Sequence, residues 1–305
     1  MRNAPVLHNC SSERPEELEE ELYMVHLRHD RHFFFAMIVV AAIGFANGTD
    51  AQTSNEAIWQ QFTDWLASAP QFDGPREMYN KYRAGLIANG ASNSEADRQM
   101  DVIERLMRER PDAYRAMFNN IYRTDNPVFS TQPNALLVAT IEQRKPGRAL
   151  DIGIGQGRNS VFLALKGWDV TGFDASDEGI ATAQRNATRA GVKINAVRET
   201  EAAFDYGADQ WDLIVFTYEP FPITSPVYVE RLGTALKPGG IIVVESLAQE
   251  EAIPNRTPVS IDPARLLAVF NTQQFRILRF EDTMAKSDWN AGQRRLVRIL
   301  AGGTT

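Results

Sequence analysis

The run Arg148-Ala-Leu-Asp-Ile-Gly-Ile-Gly-Gln-Gly157 constrains this chain more than any other segment. An apolar strand enters a turn with glycine at alternate positions, and Val161, Phe162 and Leu165 follow at helical spacing. Glycine is needed where backbone turns sharply and where a ligand approaches without a Cβ in the way. The helix that follows would offer unpaired N–H groups and a positive dipole end to an anionic group. The next apolar stretch, Trp168-Asp-Val-Thr-Gly-Phe173, ends on Asp174. An acid ~20 positions after the glycines is placed to accept both hydroxyls of a ribose. A glycine turn alone is weak evidence; strand, turn, helix, strand and terminal acid in register make a nucleotide-type site on a parallel sheet.

The flanking pattern agrees. Strands are predicted at 148–152, 169–173, 193–198, 212–217, 240–246, 275–281 and 294–300, with helices at 157–166, 177–190, 224–236 and 262–270. Alternating strands and helices read as α/β, a doubly wound and mostly parallel seven-stranded sheet. Residues 54–146 read as an α-helical lead-in. Ser54 caps a segment bearing Ile58, Trp59, Phe62 and Leu66, and Ser94 with Asp97 resembles a capping arrangement before Met100 and Ile103. Pro111 suits a first helical turn, and a further helix carries Ala135 to Ile141. The aromatic residues of this stretch serve core packing, and some are candidates to roof a pocket. The expected domains are therefore 1–51, a targeting segment; 52–146, helical; and 147–305, the cofactor-binding domain.

Composition removes several chemistries. The four histidines (His8, His26, His29, His32) and the one cysteine (Cys10) all precede residue 33. The body has no disulfide, no thiolate nucleophile and no Cys/His metal site, so no metal is expected. A general base there must be a carboxylate, Lys or Tyr. Formal net charge is -7, which argues against nucleic acid as a partner.

Ala149-Leu-Asp-Ile-Gly-Ile-Gly-Gln-Gly-Arg-Asn159 and Gly167-Trp-Asp-Val-Thr-Gly-Phe-Asp-Ala-Ser176 resemble the first two motifs of class I S-adenosyl-L-methionine (SAM)-dependent methyltransferases. The likeness is nearest to the tellurite-resistance and thiopurine-methyltransferase-like group, whose glycine loop often continues with Arg-Asn. Gln210-Trp-Asp-Leu-Ile-Val-Phe216 is similar to the family's fourth strand, and Leu236-Lys-Pro-Gly-Gly-Ile-Ile-Val-Val244 to its fifth-strand entry. The resemblance covers about residues 134–300 and implies a Rossmann-like sheet of order 3-2-1-4-5-7-6 with the last strand antiparallel. It implies SAM as cofactor, with Asp151, Gly153, Gly155 and Gly157 on the methionyl side, Asp174 and Ala175 at the ribose, and Glu201 with Ala202 at adenine. Glu199 is an alternative at the last position. Ile154 stands where the family often has Cys or Ala. Arg158 and Asn159 read equally as helix-start residues and as ligand contacts. Tyr218 sits where methyl group and acceptor meet, and Tyr218 and Glu219 are the catalytic candidates for direct displacement onto a small-molecule acceptor.

Two other readings stand beside this one. A nicotinamide-dependent oxidoreductase shares the turn and the ribose acid, but its fingerprint needs two residues between the second and third glycine, where Gly155 and Gly157 have one. A non-catalytic SAM-binding protein would keep the fold without turnover.

Residues 33–46 form an uninterrupted apolar run preceded by Arg28 and Arg31, shorter than the ~18–20 residues of a spanning helix. They fit the apolar region of a secretory signal peptide, with Thr49-Asp-Ala51 as the preferred cleavage point and Gly44-Phe-Ala46 the next. No Lys or Arg occurs between Ala36 and Pro75, which places the body on the outer side of a membrane touched only through the targeting segment. A cytoplasmic body is the alternative, since SAM is made in the cytosol. The acidic stretch from Glu13 to Glu21 suits such a start poorly, and Met24 begins a better one. N-terminal sequencing of the protein made in cells is expected to read from Gln52; a chain that begins intact at Met1 counts against both the export signal and the later start.

Overall fold

Side-chain alternation builds the sheet. Along its central strands successive residues point to opposite faces, and both faces are apolar: Leu150, Ile214, Phe216, Ile242 and Val244 enter one core, while Ala149, Leu213, Val215, Ile241 and Val243 enter another. Strands covered on both sides read as continuous hydrophobic runs, as parallel sheets require. The computed structural model describes residues 53–70, 72, 75–110, 113–123, 129–219, 222–249, 260–289 and 292–304. Residues 1–51, Pro111 and the expected targeting run lie outside them.

The lead-in comprises α1 (Asn55–Ser68), α2 (Pro75–Ala88), α3 (Asn93–Glu109), α4 (Ala113–Tyr122) and α5 (Ala135–Ile141). Then come β1 (Arg148–Ile152), α6 (Arg158–Leu165), β2 (Asp169–Asp174), α7 (Asp177–Arg189), β3 (Asn195–Arg198), β4 (Trp211–Thr217), α8 (Pro226–Ala235) and β5 (Leu236–Ala248). The chain closes with β6 (Ser260–Ile261), α9 (Pro263–Phe270), β7 (Phe275–Lys286) and β8 (Gln293–Gly303). The sheet order is β3-β2-β1-β4-β5-β8-β7, and β6 pairs β5 off this path. This is the expected order. β8 runs antiparallel to both neighbours.

The sheet has eight strands where seven were expected. The addition, β6, is a two-residue strand beside Leu247 and Ala248, too short to carry a periodic signal. β5 begins four residues earlier than the apolar run, because Leu236 still pairs with Trp211 across a register irregularity. β7 and β8 also extend further than predicted. Lys286 pairs with Gln293, and Arg295 grips Asp282 with two bonds of 2.7 Å across the ladder. That extension matters, since the turn it carries reaches the site.

Caps set the helix starts. Ser54 accepts from the Ala57 amide, as expected. For α3 the cap is Ser92, not Ser94: Ser92 is extended and accepts from the Glu95 amide at 3.1 Å, moving the capping residue two places earlier. α2 was not singled out in the sequence, although Met78, Tyr82 and Leu86 on it are buried. Helices α1–α4 share an aromatic core that also takes in Tyr218, Trp289 and Leu296, so Gln52–Thr305 form one compact unit. α5 and α6 cover one face of the sheet, and α8 and α9 the other.

Phe62 is fully buried in the helical core, with its ring edge-on to Tyr82 at 5.1 Å. Phe62→Ala should lower unfolding stability by about 3–5 kcal/mol. Denaturant titration followed by tryptophan fluorescence and by circular dichroism should report one coincident transition; separate transitions would contradict a shared unit.

Candidate active site

The turn after β1 takes left-handed backbone at Gly153 (φ 66°) and Gly155 (φ 51°), conformations that strongly favour glycine. Gly157 (φ 81°) is the residue before α6 and packs against Ala183 of α7. The space beside the first two glycines is taken by side chains of the protein. A Cβ on Gly153 would collide with the Glu219 carboxylate, and one on Gly155 with Tyr122 Oη. Ile154 turns away, under Gly172, whose missing side chain admits it.

Asp174 closes β2 against this turn. Its Oδ2 accepts from the Gly155 amide at 2.9 Å and its Oδ1 from the Ser176 amide at 2.7 Å. A carboxylate has about four acceptor positions, so each oxygen keeps capacity for a ribose hydroxyl. Burial pushes the Asp174 carboxyl up to about 6, against the pull of those two amides. Ala175, half-buried, lies between Asp174 and Ser176, whose hydroxyl caps α7 through the Gly179 amide.

Asp151, 2 % exposed, accepts from Ser160 Oγ at 2.7 Å and from the Ser160 amide. It fills the first turn of α6, the helix end that the sequence offered to an external anion. Burial raises its carboxyl to about 6, with Ser160 and Arg158 opposing. Glu201 is half-buried beyond β3, and its Oε2 is buried without a hydrogen-bond partner. Burial raises its pKa as well. Ala202 beside it is exposed. Glu219 is half-buried, and withdrawal from water together with Asp174, Glu201 and Asp151 drives its carboxyl well above the ordinary range. Glu219 senses Asp174, Glu201 and Asp151, and Asp151 senses Asp174, at the carboxyl edge of the sheet, where ligands of such folds bind. Among the described residues no group of three or more His, Cys, Asp or Glu is placed to hold a metal ion.

Tyr218 follows β4 in left-handed backbone (φ 57°), a strained conformation for a tyrosine. Its hydroxyl donates to Glu245 Oε1 at 2.9 Å and accepts from the Asp288 amide at 3.3 Å. Burial and the Glu245 charge push its pKa up, so Tyr218 holds its proton. Glu245, 1 % exposed, anchors a network that the sequence reading missed. It also accepts from Asn134 Nδ2 and Arg298 Nε, each at 2.6 Å. Asn134 reaches Asp288 at 2.8 Å, and Asp288 takes an Arg158 bond of 2.7 Å. Asn159 receives the Asn134 amide and donates to Thr217. Arg158 and Asn159 thus hold the walls of the site together. A pocket lies at the turn, lined on one side by Gly153, Gly155, Asn159 and Glu219 and on the other by the rings of Phe118, Tyr122, Phe129 and Trp289. Glu245 had a legible signal, a lone acid closing an apolar strand as Asp174 does. Asp288, Trp289 and Tyr122 had none, because the topology alone brings them here.

Residues 149–240 match a family model described as a methyltransferase domain. The ubiquinone biosynthesis O-methyltransferase of Roseobacter denitrificans is 32% identical over 124 residues, 40% of this chain and 47% of that protein. The probable S-adenosyl-L-methionine-dependent methyltransferase TehB of Haemophilus influenzae is 24% identical over 161 residues, 50% of this chain and 54% of that one. This chain spans about half the length of the curated relatives it matches. Among solved structures, the N-methyltransferase NodS from Bradyrhizobium japonicum WM9, in complex with S-adenosyl-L-homocysteine, superposes with a TM-score of 0.51 at 16% identity. It covers 63% of this chain and 99% of that one, a likeness of fold.

The carboxyls at about 6 fix a pH dependence. Their unfolded values lie near 3.8, so the folded protein binds more protons between about pH 4 and 6, and stability declines as pH rises through that window. The surface carboxylates Asp97 and Asp282, lowered by bonds to Arg83 and Arg295, act in the opposite sense and lose their contribution only as pH falls further. The melting temperature of the purified protein without added ligand should be higher near pH 5 than at pH 7. A profile that is flat or rises over that interval contradicts the raised carboxyls.

Proposed function

We propose that this chain, whose residues 149–240 form a class I SAM-dependent methyltransferase domain related to the tellurite-resistance group, transfers a methyl group from SAM to a small-molecule acceptor. The observation that carries the reading is a left-handed glycine turn gripped by Asp174 at the end of β2, with Glu219 over Gly153 at the pocket and Asp151 and Glu201 acting on Glu219. A buried acidic basin is costly unless a cation neutralises it. A sulfonium with an ammonium nearby suits it. A dinucleotide would bring pyrophosphate to the turn where the Glu219 side chain already occupies the space over Gly153, which disfavours the nicotinamide reading.

The residues fit the cofactor on their own chemistry. Asp174 keeps acceptor capacity for the ribose, and the unpartnered Glu201 Oε2 is available to an exocyclic amine of adenine. When bound, SAM supplies a methyl group made electrophilic by its sulfonium. Glu219, with its raised proton affinity, takes up the proton that an acceptor hydroxyl, amine or thiol gives up. Tyr218, its hydroxyl committed to Glu245, positions the wall between acceptor and turn. The roof of Phe118, Tyr122, Phe129 and Trp289 excludes water and offers flat apolar contact, which supports a planar organic acceptor over a polymer. Most of the rate enhancement then comes from alignment in a dry site.

Export, or anchoring through residues 33–46, belongs to the same proposal and is supported by the apolar run and its flanking charges alone. Among the described residues no helix is long and apolar enough to cross a membrane.

Calorimetry with SAM and its demethylated product tests the core of this reading. Asp174→Ala should weaken SAM roughly hundredfold or more, the loss of charged hydrogen bonds to two hydroxyls; affinity equal to that of the unaltered protein would overturn the assignment. On a panel of phenol, amine, thiol and carboxylate acceptors, Glu219→Gln should lower kcat for acceptors that must lose a proton by roughly 10²-fold or more. Undiminished turnover would remove Glu219 from the chemistry.

A further inference from the structure

Helix α4 reaches the carboxylate basin at two points, both outside the segment that matches the methyltransferase domain. Asn119 Oδ1 accepts from Ser176 Oγ at 2.7 Å and from the Glu178 amide at 3.2 Å, so α4 holds the turn that follows Asp174. Tyr122 lies one helical turn further, with its hydroxyl against Gly155 and its ring 3.2 Å from where a Gly179 side chain would begin. The hydroxyl senses Asp174, Glu219, Arg158 and Asp151, and no hydrogen bond to a described residue takes its proton. It is 8 % exposed and lines the pocket.

A cofactor with an amino-acid end brings a carboxylate into this acidic surrounding, and that carboxylate needs donors. Several donors nearest the turn are engaged. The Ser160 amide and hydroxyl serve Asp151, and the Gly155 amide serves Asp174. Arg158 commits its Nη1 to both Asp288 and the Gln132 carbonyl. Tyr122 adds a neutral donor set against Gly155 at the pocket, and burial beside those carboxylates keeps its proton in place.

We infer that α4 is part of the cofactor site: Tyr122 donates its hydroxyl proton to the carboxylate of the cofactor's amino-acid end, and Asn119 fixes the ribose-side turn that carries Asp174. The inference rests on the SAM reading of the basin and extends it to a helix with no part in the domain match. It assigns to the helical lead-in a direct share in affinity. Removing the hydroxyl takes away one contact, and removing the latch loosens the whole ribose side.

The test compares SAM with decarboxylated SAM by calorimetry, on the purified full chain and its variants. Tyr122→Phe should weaken SAM about tenfold, as expected for one hydrogen bond to a charged group, and leave decarboxylated SAM within twofold. Asn119→Ala should weaken both ligands, and Asn119→Asp, which keeps the acceptor oxygen, should restore them. Melting curves confirm that each variant is folded, and the isosteric Tyr122→Phe change carries the test if Asn119→Ala is not. SAM affinity unchanged by Tyr122→Phe overturns the inference. Equal weakening of both ligands overturns the carboxylate assignment. An unaltered protein that binds neither ligand would instead sink the SAM reading itself, a separate and recognisable result.

Discussion

The rest of the site depends on the carboxylate of Asp174 gripping two backbone amides. It stands at the end of β2 and ties the Gly155 amide on one side to the Ser176 amide on the other. The first bond fixes the shape of a turn whose glycines lie in left-handed backbone; the second fixes where α7 begins. Bonds from amides to an ionised acceptor are strong and directional. The same contact also buries a charge, and its carboxyl responds by moving up to about 6. Local cost of this kind is typical of functional sites, where the surrounding fold holds groups that would otherwise stay in water.

A second buried charge organises the opposite wall. Glu245 and Arg298 pair across β5 and β8, and desolvation offsets much of the attraction in such a pair. Its effect is on geometry. Glu245 collects Asn134 from the start of α5 and Tyr218 from the end of β4, and Asn134 passes the linkage to Asp288 and Arg158. Segments far apart in sequence are thereby held at one register, with every member of the network satisfied by another. The strained backbone at Tyr218 fits this arrangement, since its amide and its hydroxyl are both bound to Glu245. The glycine turn faces the result: a polar floor, carboxylates to one side, and aromatic rings from the lead-in and the β7–β8 turn above.

The helical lead-in and the sheet are thus interdependent. Asn119 binds Ser176 behind Asp174, Tyr122 lies against Gly155, Phe118 and Phe129 line the pocket, and the aromatic core of α1–α4 includes Tyr218 and Trp289 from the sheet side. A perturbation in the lead-in therefore reaches the site through packed rings, with Phe129 and Trp289 centred 5.1 Å apart. The strand order, the glycine turn and Asp174 belong to the general architecture of such domains. The roof comes from residues outside the segment that matches the methyltransferase domain.

Sequence by itself determined the parts whose signal is local. Alternation and apolar runs placed the central strands to within a residue or two, and Asp174 was legible as an acid ending an apolar strand. Glycine spacing located the turn, since left-handed backbone strongly favours that residue. The signal weakened where side chains do not alternate, which is why β6, the start of β5 and the far ends of β7 and β8 were missed. Only the tertiary structure decided what fills the turn. Glu219 over Gly153, Tyr122 against Gly155 and Asp151 across the first turn of α6 are contacts between distant segments. Their residues carry no local mark, because a tyrosine in a helix packs equally well in a core or over a ligand until the chain folds and the topology brings its partners into reach.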